Sequence, residues 1–172
     1  MPVIQDEWIE GALTFTFPQG SLASKYDEWA HYRNQVQSAL GGQKAVDIVY
    51  ASDGMAWLIE VKDFRQDART KTIGLAEEIA IKVRDTLAGL VSAQCQASDH
   101  GERSCARALL DAGSVRVVCH LEQPEKHSRL RPRVIEPDKL QLKLRTLVKW
   151  IDPHPLVVDR HSLRAIMTWQ VS

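Results

Sequence analysis

The dipeptide Asp53-Gly54 is the short stretch that most constrains the fold of this chain. It lies in the middle of a largely apolar segment, 44–62. Asp-Gly favours a two-residue β-hairpin loop, because both central positions of such a loop need positive φ. A two-residue loop also sets the pairing of the two strands: Ser52 with Met55, Tyr50 with Trp57, and Asp47 with Glu60.

This register divides the hairpin into two faces, because side chains alternate along a strand. One face carries Asp47, Val49, Leu58, Glu60 and Lys62, and the other carries Val46, Ile48, Trp57, Ile59 and Val61. Both faces are largely apolar. The hairpin is therefore predicted to form the middle of a sheet covered by helices on both sides, with a small charged cluster at one end.

The charged cluster needs a physical explanation. Two cross-strand carboxylates lie about 5 Å apart and repel each other unless they share a proton, form a salt bridge or bind a cation. Lys62 supplies one positive charge, and a hard divalent ion such as Mg²⁺ suits the remaining negative charge. The alternative is a salt-bridge cluster that only stabilises the fold, in which case Asp47→Asn or Glu60→Gln lowers stability without any effect of metal.

Asp47 and Glu60-Val61-Lys62 resemble the signature of the PD-(D/E)XK superfamily of restriction-endonuclease-like nucleases. Val46 stands where the name-giving pattern has proline. The resemblance implies an α/β fold with an α-β-β-β-α-β core, in which a central mixed sheet is flanked by helices. It also implies that Asp47, Glu60 and the main-chain carbonyl of Val61 bind Mg²⁺ or Mn²⁺, while Lys62 assists the attacking water.

The resemblance therefore predicts a metal-dependent endonuclease that hydrolyses nucleic-acid phosphodiester bonds, with DNA as the expected substrate. A non-catalytic member of the same fold that binds nucleic acid or a protein is the alternative. A homodimer is possible by analogy with the superfamily, since two active sites are convenient for cutting two strands.

The segment before the hairpin is predicted to be the first helix of that core. Ser21 to Ser24 can cap a helix over 25–40, and Gly41-Gly42 ends it. Members of the superfamily often carry a further acid on this helix near the metal. Glu28 is assigned as that catalytic acid, with Asp27 kept open as the alternative. His31 is interpreted as a surface histidine.

Basic residues follow directly after the hairpin. Arg65, Arg69 and Lys71 are predicted to bind nucleic-acid phosphates because they follow Lys62 closely. A long helix is predicted over 73–96 from its apolar spacing, with Glu78, Lys82 and Asp85 on its solvated edge.

The remaining patterns predict a strand over 115–121, an amphipathic helix over 137–150 and one or two strands between 156 and 171, as extra C-terminal elements. Basic residues outnumber acidic ones from Glu125 to Lys149, although the whole chain has a formal net charge of zero. No zinc-finger spacing, recognition-helix motif or Gly-rich phosphate loop is present in the sequence.

Composition predicts one globular domain over 1–172, since 44% of the residues are hydrophobic and 26% are charged. No apolar run is long enough to cross a bilayer, so no membrane contact is expected. The acidic start lacks the features of a secretion signal, and the three cysteines form no C-x-x-C pair. A cytoplasmic location is the resulting expectation.

Overall fold

The computed structural model describes residues 7–67, 69–125, 130 and 135–172. The strands of these residues form two sheets. The smaller is antiparallel with the order β1-β2-β8, and the larger has the order β3-β4-β5-β6-β7. The strands are β1 (Glu7–Glu10), β2 (Leu13–Thr16), β3 (Leu22–Lys25), β4 (Ile48–Ser52), β5 (Met55–Asp63), β6 (Ser114–Glu122), β7 (Leu156–Val158) and β8 (Gln170–Val171).

The central hairpin has the register that its turn predicts. Ser52 pairs with Met55 and Tyr50 with Trp57 in the antiparallel ladder of β4 and β5. Asp53 and Gly54 have φ values of 50° and 72°, as a turn with two left-handed residues requires. Asp47 precedes the first residue of β4, so it lies just beyond the end of the ladder.

Three helices accompany the larger sheet: α1 (Leu75–Gln96), α2 (His100–Leu110) and α3 (Pro137–Val148). Asp99 caps α2, since its carboxylate accepts a hydrogen bond from the backbone N–H of Glu102 at 2.9 Å. Proline begins α3, where a missing N–H leaves no helical bond unmade. The helices α1 and α2 form the connection from β5 to β6, and β6 pairs parallel to both β5 and β7.

The two faces of the larger sheet pack against different layers. Val49 and Leu58 belong to a core shared with the three helices. Ile48 and Trp57 belong to a second core, shared with residues of the smaller sheet such as Phe15. The expectation of helices on both sides of the hairpin is therefore wrong, because the smaller sheet covers one face. The coarser prediction, a mixed α/β fold with a central mixed sheet, flanking helices and extra C-terminal elements, is confirmed.

The predicted helix over 25–40 is also wrong. Most of the proposed cap belongs to strand β3 instead. Three short turns follow this strand: a 3₁₀ turn (Tyr26–Glu28), a π-helical turn (Tyr32–Val36) and a second 3₁₀ turn (Ala39–Gly41). Tertiary contacts prevail over local propensity here. The backbone of β3 pairs with β4, and the indole N–H of Trp29 donates to Ser24 Oγ at 2.7 Å.

No helix in the described ranges has the length and apolar character needed to cross a membrane.

Candidate functional site

A cluster of charged side chains joins β5 to α1 beneath the end of the hairpin. We call it the edge cluster and define it as Asp47, Glu60, Lys62, Glu78 and Lys82. The hairpin contributes the first three and α1 the last two. The structure therefore brings together Asp47, Glu60 and Lys62, as the sequence predicted, and adds two residues that were assigned to a solvated edge.

Glu60 lies at the centre of the edge cluster and has no solvent-exposed surface. The ammonium groups of Lys62 and Lys82 both lie 2.6 Å from its Oε1. Its Oε2 is buried and accepts no hydrogen bond from the described residues. Burial raises the pKa of Glu60 to about 7, and the negative charge of Asp47 adds to this rise while the two lysines oppose it.

Asp47 is held by the backbone. Its Oδ2 accepts the N–H of Val61 at 2.7 Å, and its main-chain carbonyl accepts the N–H of Tyr26 at 3.1 Å. Lys82 Nζ lies 3.7 Å from Asp47 Oδ1 as well as 2.6 Å from Glu60. An ammonium group thus lies against both carboxylates.

Glu78 is buried rather than solvated and is surrounded by cations. Lys62 and Lys71 lie 3.1 and 2.7 Å from its Oε1, and Arg69 lies 2.8 Å from its Oε2. Burial alone would raise the pKa of Glu78, but hydrogen bonds from Lys71 and Arg69 and the charge of Lys62 lower it to about 2. Burial likewise opposes the charge on Lys62, yet Glu60 and Glu78 raise the pKa of that lysine overall.

These contacts change the interpretation of the residues predicted to bind nucleic acid. Arg69 and Lys71 bind Glu78, and Arg65 forms two hydrogen bonds with the carboxylate of Asp63, at 2.9 and 2.7 Å. Each of the three basic groups is paired within the protein. Nucleic acid would have to compete with an internal carboxylate at each of them.

The choice of acid from the preceding segment is corrected by the structure. Glu28 is 48% exposed and lies 3.2 Å from Lys25, so the structure does not bring it to the edge cluster. Asp27 is the nearer acid electrostatically. Burial raises its pKa to about 6, and Asp47 is the next cause of that rise. The sequence could not decide between the two, because the turn Tyr26–Glu28 is not the helix that was expected.

The edge cluster as it stands does not fit a magnesium ion. The predicted ligand set supplies two carboxylates and the main-chain carbonyl of Val61, and no group of three His, Cys, Asp or Glu side chains in the described ranges is placed to hold a metal. Lys82 supplies positive charge next to both carboxylates. Binding of Mg²⁺ or Mn²⁺ stays a prediction, and it requires Lys82 to move away.

A polar cavity of about 560 Å³ lies on the other side of the turn region, between the π-helical turn and the facing ends of α1 and α2. His31 is buried there, contrary to its interpretation as a surface histidine, and its Nε2 lies 2.9 Å from Ser92 Oγ. Glu102 accepts the backbone N–H groups of Ala30 and His31 at 2.6 and 3.1 Å. No motif in the sequence marks these long-range contacts.

The chain is similar to part of a cysteine–tRNA ligase from Neisseria meningitidis serogroup A, serotype 4A, strain DSM 15465 / Z2491. The two are 34% identical over 153 residues, which cover 72% of this chain and 22% of the ligase. The chain thus spans about a fifth of the length of the ligase. No family model and no solved structure matches the chain.

This likeness overturns the predicted function. The relative is an enzyme named for joining cysteine to tRNA, not one that cleaves nucleic acid. The prediction of a metal-dependent endonuclease is therefore wrong, and the roles assigned to Asp47, Glu60 and Lys62 stay predictions. What remains of the prediction is the coarser statement that the chain is related to part of an enzyme.

Proposed function

We propose that this chain is a tRNA-binding domain. The likeness to a cysteine–tRNA ligase carries the proposal, because it is the observation that names a class of ligand. Nucleic acid was also the predicted partner, and the proposal replaces DNA by tRNA.

The proposal concerns RNA contact rather than the complete ligase reaction. The match accounts for 22% of the ligase, so most of that enzyme has no counterpart in the matched part of this chain. A single domain commonly performs one task within a larger enzyme. In an enzyme that acts on tRNA, one such task is to bind and position the tRNA.

In this proposal the edge cluster takes no part in RNA binding. Its lysines bind buried carboxylates, and their side chains are only 14% and 16% exposed. The cluster joins β5 to α1 through these ion pairs. Phosphates of tRNA would therefore be bound by basic side chains elsewhere on the surface.

We further propose that the core shares its topology with the restriction-endonuclease-like fold, without that activity. The hairpin of β4 and β5, the helical connection and the parallel pairing of β6 support this relationship. Contacts between neighbouring strands measured by NMR would test it. If the order or direction of β4, β5 and β6 differed from that fold, the relationship would be excluded.

Direct binding to tRNA tests the proposed function. A fluorescently labelled transcript of cysteine tRNA should bind the chain with an anisotropy change that unlabelled tRNA reverses. Duplex DNA of equal nucleotide length should compete more weakly, since B-form DNA lacks the single-stranded loops of tRNA. Absence of tRNA binding at low salt, or equal competition by DNA, would contradict the proposal.

Two further predictions remain with this proposal. A homodimer would be detected by light scattering on the chain with and without tRNA. A cytoplasmic location stays a prediction from the sequence.

A further inference from the structure

The solvent-facing side of α3, with the two residues that follow the helix, carries charges and an aromatic ring that the fold does not use. The helix buries one narrow stripe, formed by Leu140, Leu144 and Val148. Gln141 and Leu147 are half-buried beside this stripe, and the remaining residues face solvent, with Leu142 66% exposed. The apolar stripe explains how α3 attaches to the core, but it does not explain the composition of the outer face.

Two cations on this outer face have no ion-pair partner among the described residues. Lys139 binds Glu136 and Lys143 binds Glu77, at 2.9 and 2.6 Å. Arg145 and Lys149 are exposed and form no ion pair within the part of the chain that the structure describes. They are four residues apart, a spacing at which like charges repel on a helix. The helix dipole favours positive charges near the C-terminal end of a helix, which explains why cations occur at these two positions. It does not explain the residue that follows Lys149.

That residue is Trp150, which is 70% exposed. Its indole N–H donates to the main-chain carbonyl of Leu147 at 3.0 Å. This bond satisfies the polar edge of the ring and restrains its orientation, while most of the side chain stays in water. Burying so large an aromatic surface would favour the folded state, so its exposure directly after Lys149 in the chain is unusual for a purely structural residue.

We propose that Arg145, Lys149 and Trp150, the α3 surface, form an RNA-contact site in which an unpaired base stacks on Trp150 and the adjoining phosphates bind Arg145 and Lys149. This inference rests on the proposed function and locates it. Single-stranded RNA is recognised by this combination, because every base has a face that can stack and every linkage carries a negative charge. The accessible loops and ends of tRNA supply unpaired bases of this kind.

Three variants test the α3 surface by fluorescence anisotropy with the same labelled tRNA. Trp150→Leu removes the stacking ring and should weaken binding about 5- to 150-fold. Trp150→Phe keeps an aromatic face and should stay within about threefold of the wild type. The double variant Arg145→Ala/Lys149→Ala should lower the slope of log K against log salt by about 1.4, since each phosphate contact on a single strand contributes about 0.7.

The double variant Lys44→Ala/Arg107→Ala is the matched control. Both residues are exposed and form no ion pair with another described residue, so this variant removes the same charge elsewhere. It should keep most of the salt slope of the wild type. Circular dichroism of every variant distinguishes a loss of contact from a loss of fold.

The outcomes separate this inference from the proposed function. If the wild type binds tRNA, and Trp150→Leu and Arg145→Ala/Lys149→Ala bind with its affinity and salt slope, the α3 surface is refuted while tRNA binding stands. An equal decrease in slope for the control pair would also refute the α3 surface, because the effect would then reflect net charge alone. If the wild type fails to bind tRNA, the proposed function itself fails.

Discussion

Replacing the buried carboxylate Glu60 by glutamine should stabilise the protein above neutral pH. The pKa of Glu60 rises from 4.5 to about 7 on folding, so between these values the folded protein binds more protons than the unfolded chain. Stability from this group is complete below pH 4.5 and is lost as the pH rises towards 7. The shift corresponds to about 3 kcal/mol, and glutamine, which cannot ionise, avoids that loss.

Both lysines keep a carboxylate partner in Glu60→Gln. Lys62 still lies 3.1 Å from Glu78, and Lys82 still lies 3.7 Å from Asp47. The variant therefore does not leave a lone buried charge, which is the usual reason why breaking a buried ion pair destabilises a protein. This expectation is opposite to that of a cluster whose ion pairs stabilise the fold, for which Glu60→Gln should be destabilising.

Urea denaturation from pH 4 to 8.5 measures the effect. The difference in free energy of unfolding between Glu60→Gln and the wild type should be flat below pH 4.5 and rise by about 3 kcal/mol up to pH 8. The comparison removes the contributions of Asp27 and Glu78, which both proteins share. Glu136→Gln, at an exposed glutamate, is the control for the change in net charge. A difference that does not vary with pH, or a Glu60→Gln protein that is less stable at pH 8, would refute the reasoning.

Three more predictions address packing, metal binding and the turn region. Gly89→Ala should destabilise the protein by about 1–3 kcal/mol in urea denaturation, because the new Cβ would overlap the hydroxyl of Tyr26, and Tyr26→Phe in the same chain should restore most of the loss. Lys82→Ala should bind Mn²⁺ more tightly than the wild type in calorimetry, since it removes the ammonium from beside two carboxylates; equal or weaker binding would contradict this. Glu102→Gln should lower the free energy of unfolding by about 1–3 kcal/mol, because one of the two backbone N–H groups of Ala30 and His31 loses a charged acceptor. A change below about 0.5 kcal/mol in magnitude would be too small for that role.

The hairpin could be predicted from sequence because its determinants are local. The Asp53-Gly54 turn sets the pairing, and strand alternation then assigns every side chain to a face. The same reasoning placed Asp47, Glu60 and Lys62 at one end of the hairpin. The long helix α1 was predicted within two residues because apolar spacing and length are also local signals.

The segment before the hairpin could not be predicted, because long-range contacts decide its structure. Ser21 and Ser24 suit a helix cap, but pairing with β4 makes Leu22–Lys25 a strand. Glu102, 71 residues further along, accepts the backbone N–H of His31. A single sequence contains no record of either contact, so the choice between Asp27 and Glu28 stayed open.

The surroundings of the acidic pair depend on a contact that no motif contains. The sequence shows that Asp47, Glu60 and Lys62 share one face of the hairpin. A metal site and an ion-pair network both have this arrangement. Positive charge beside both acids comes from Lys82, one turn along α1 from Glu78, on a helix whose pattern placed both residues in solvent. An acidic pair on a hairpin therefore predicts that a positive charge lies nearby, but it does not predict a reaction. The group that supplies this charge must be identified in the structure before a chemical function is assigned.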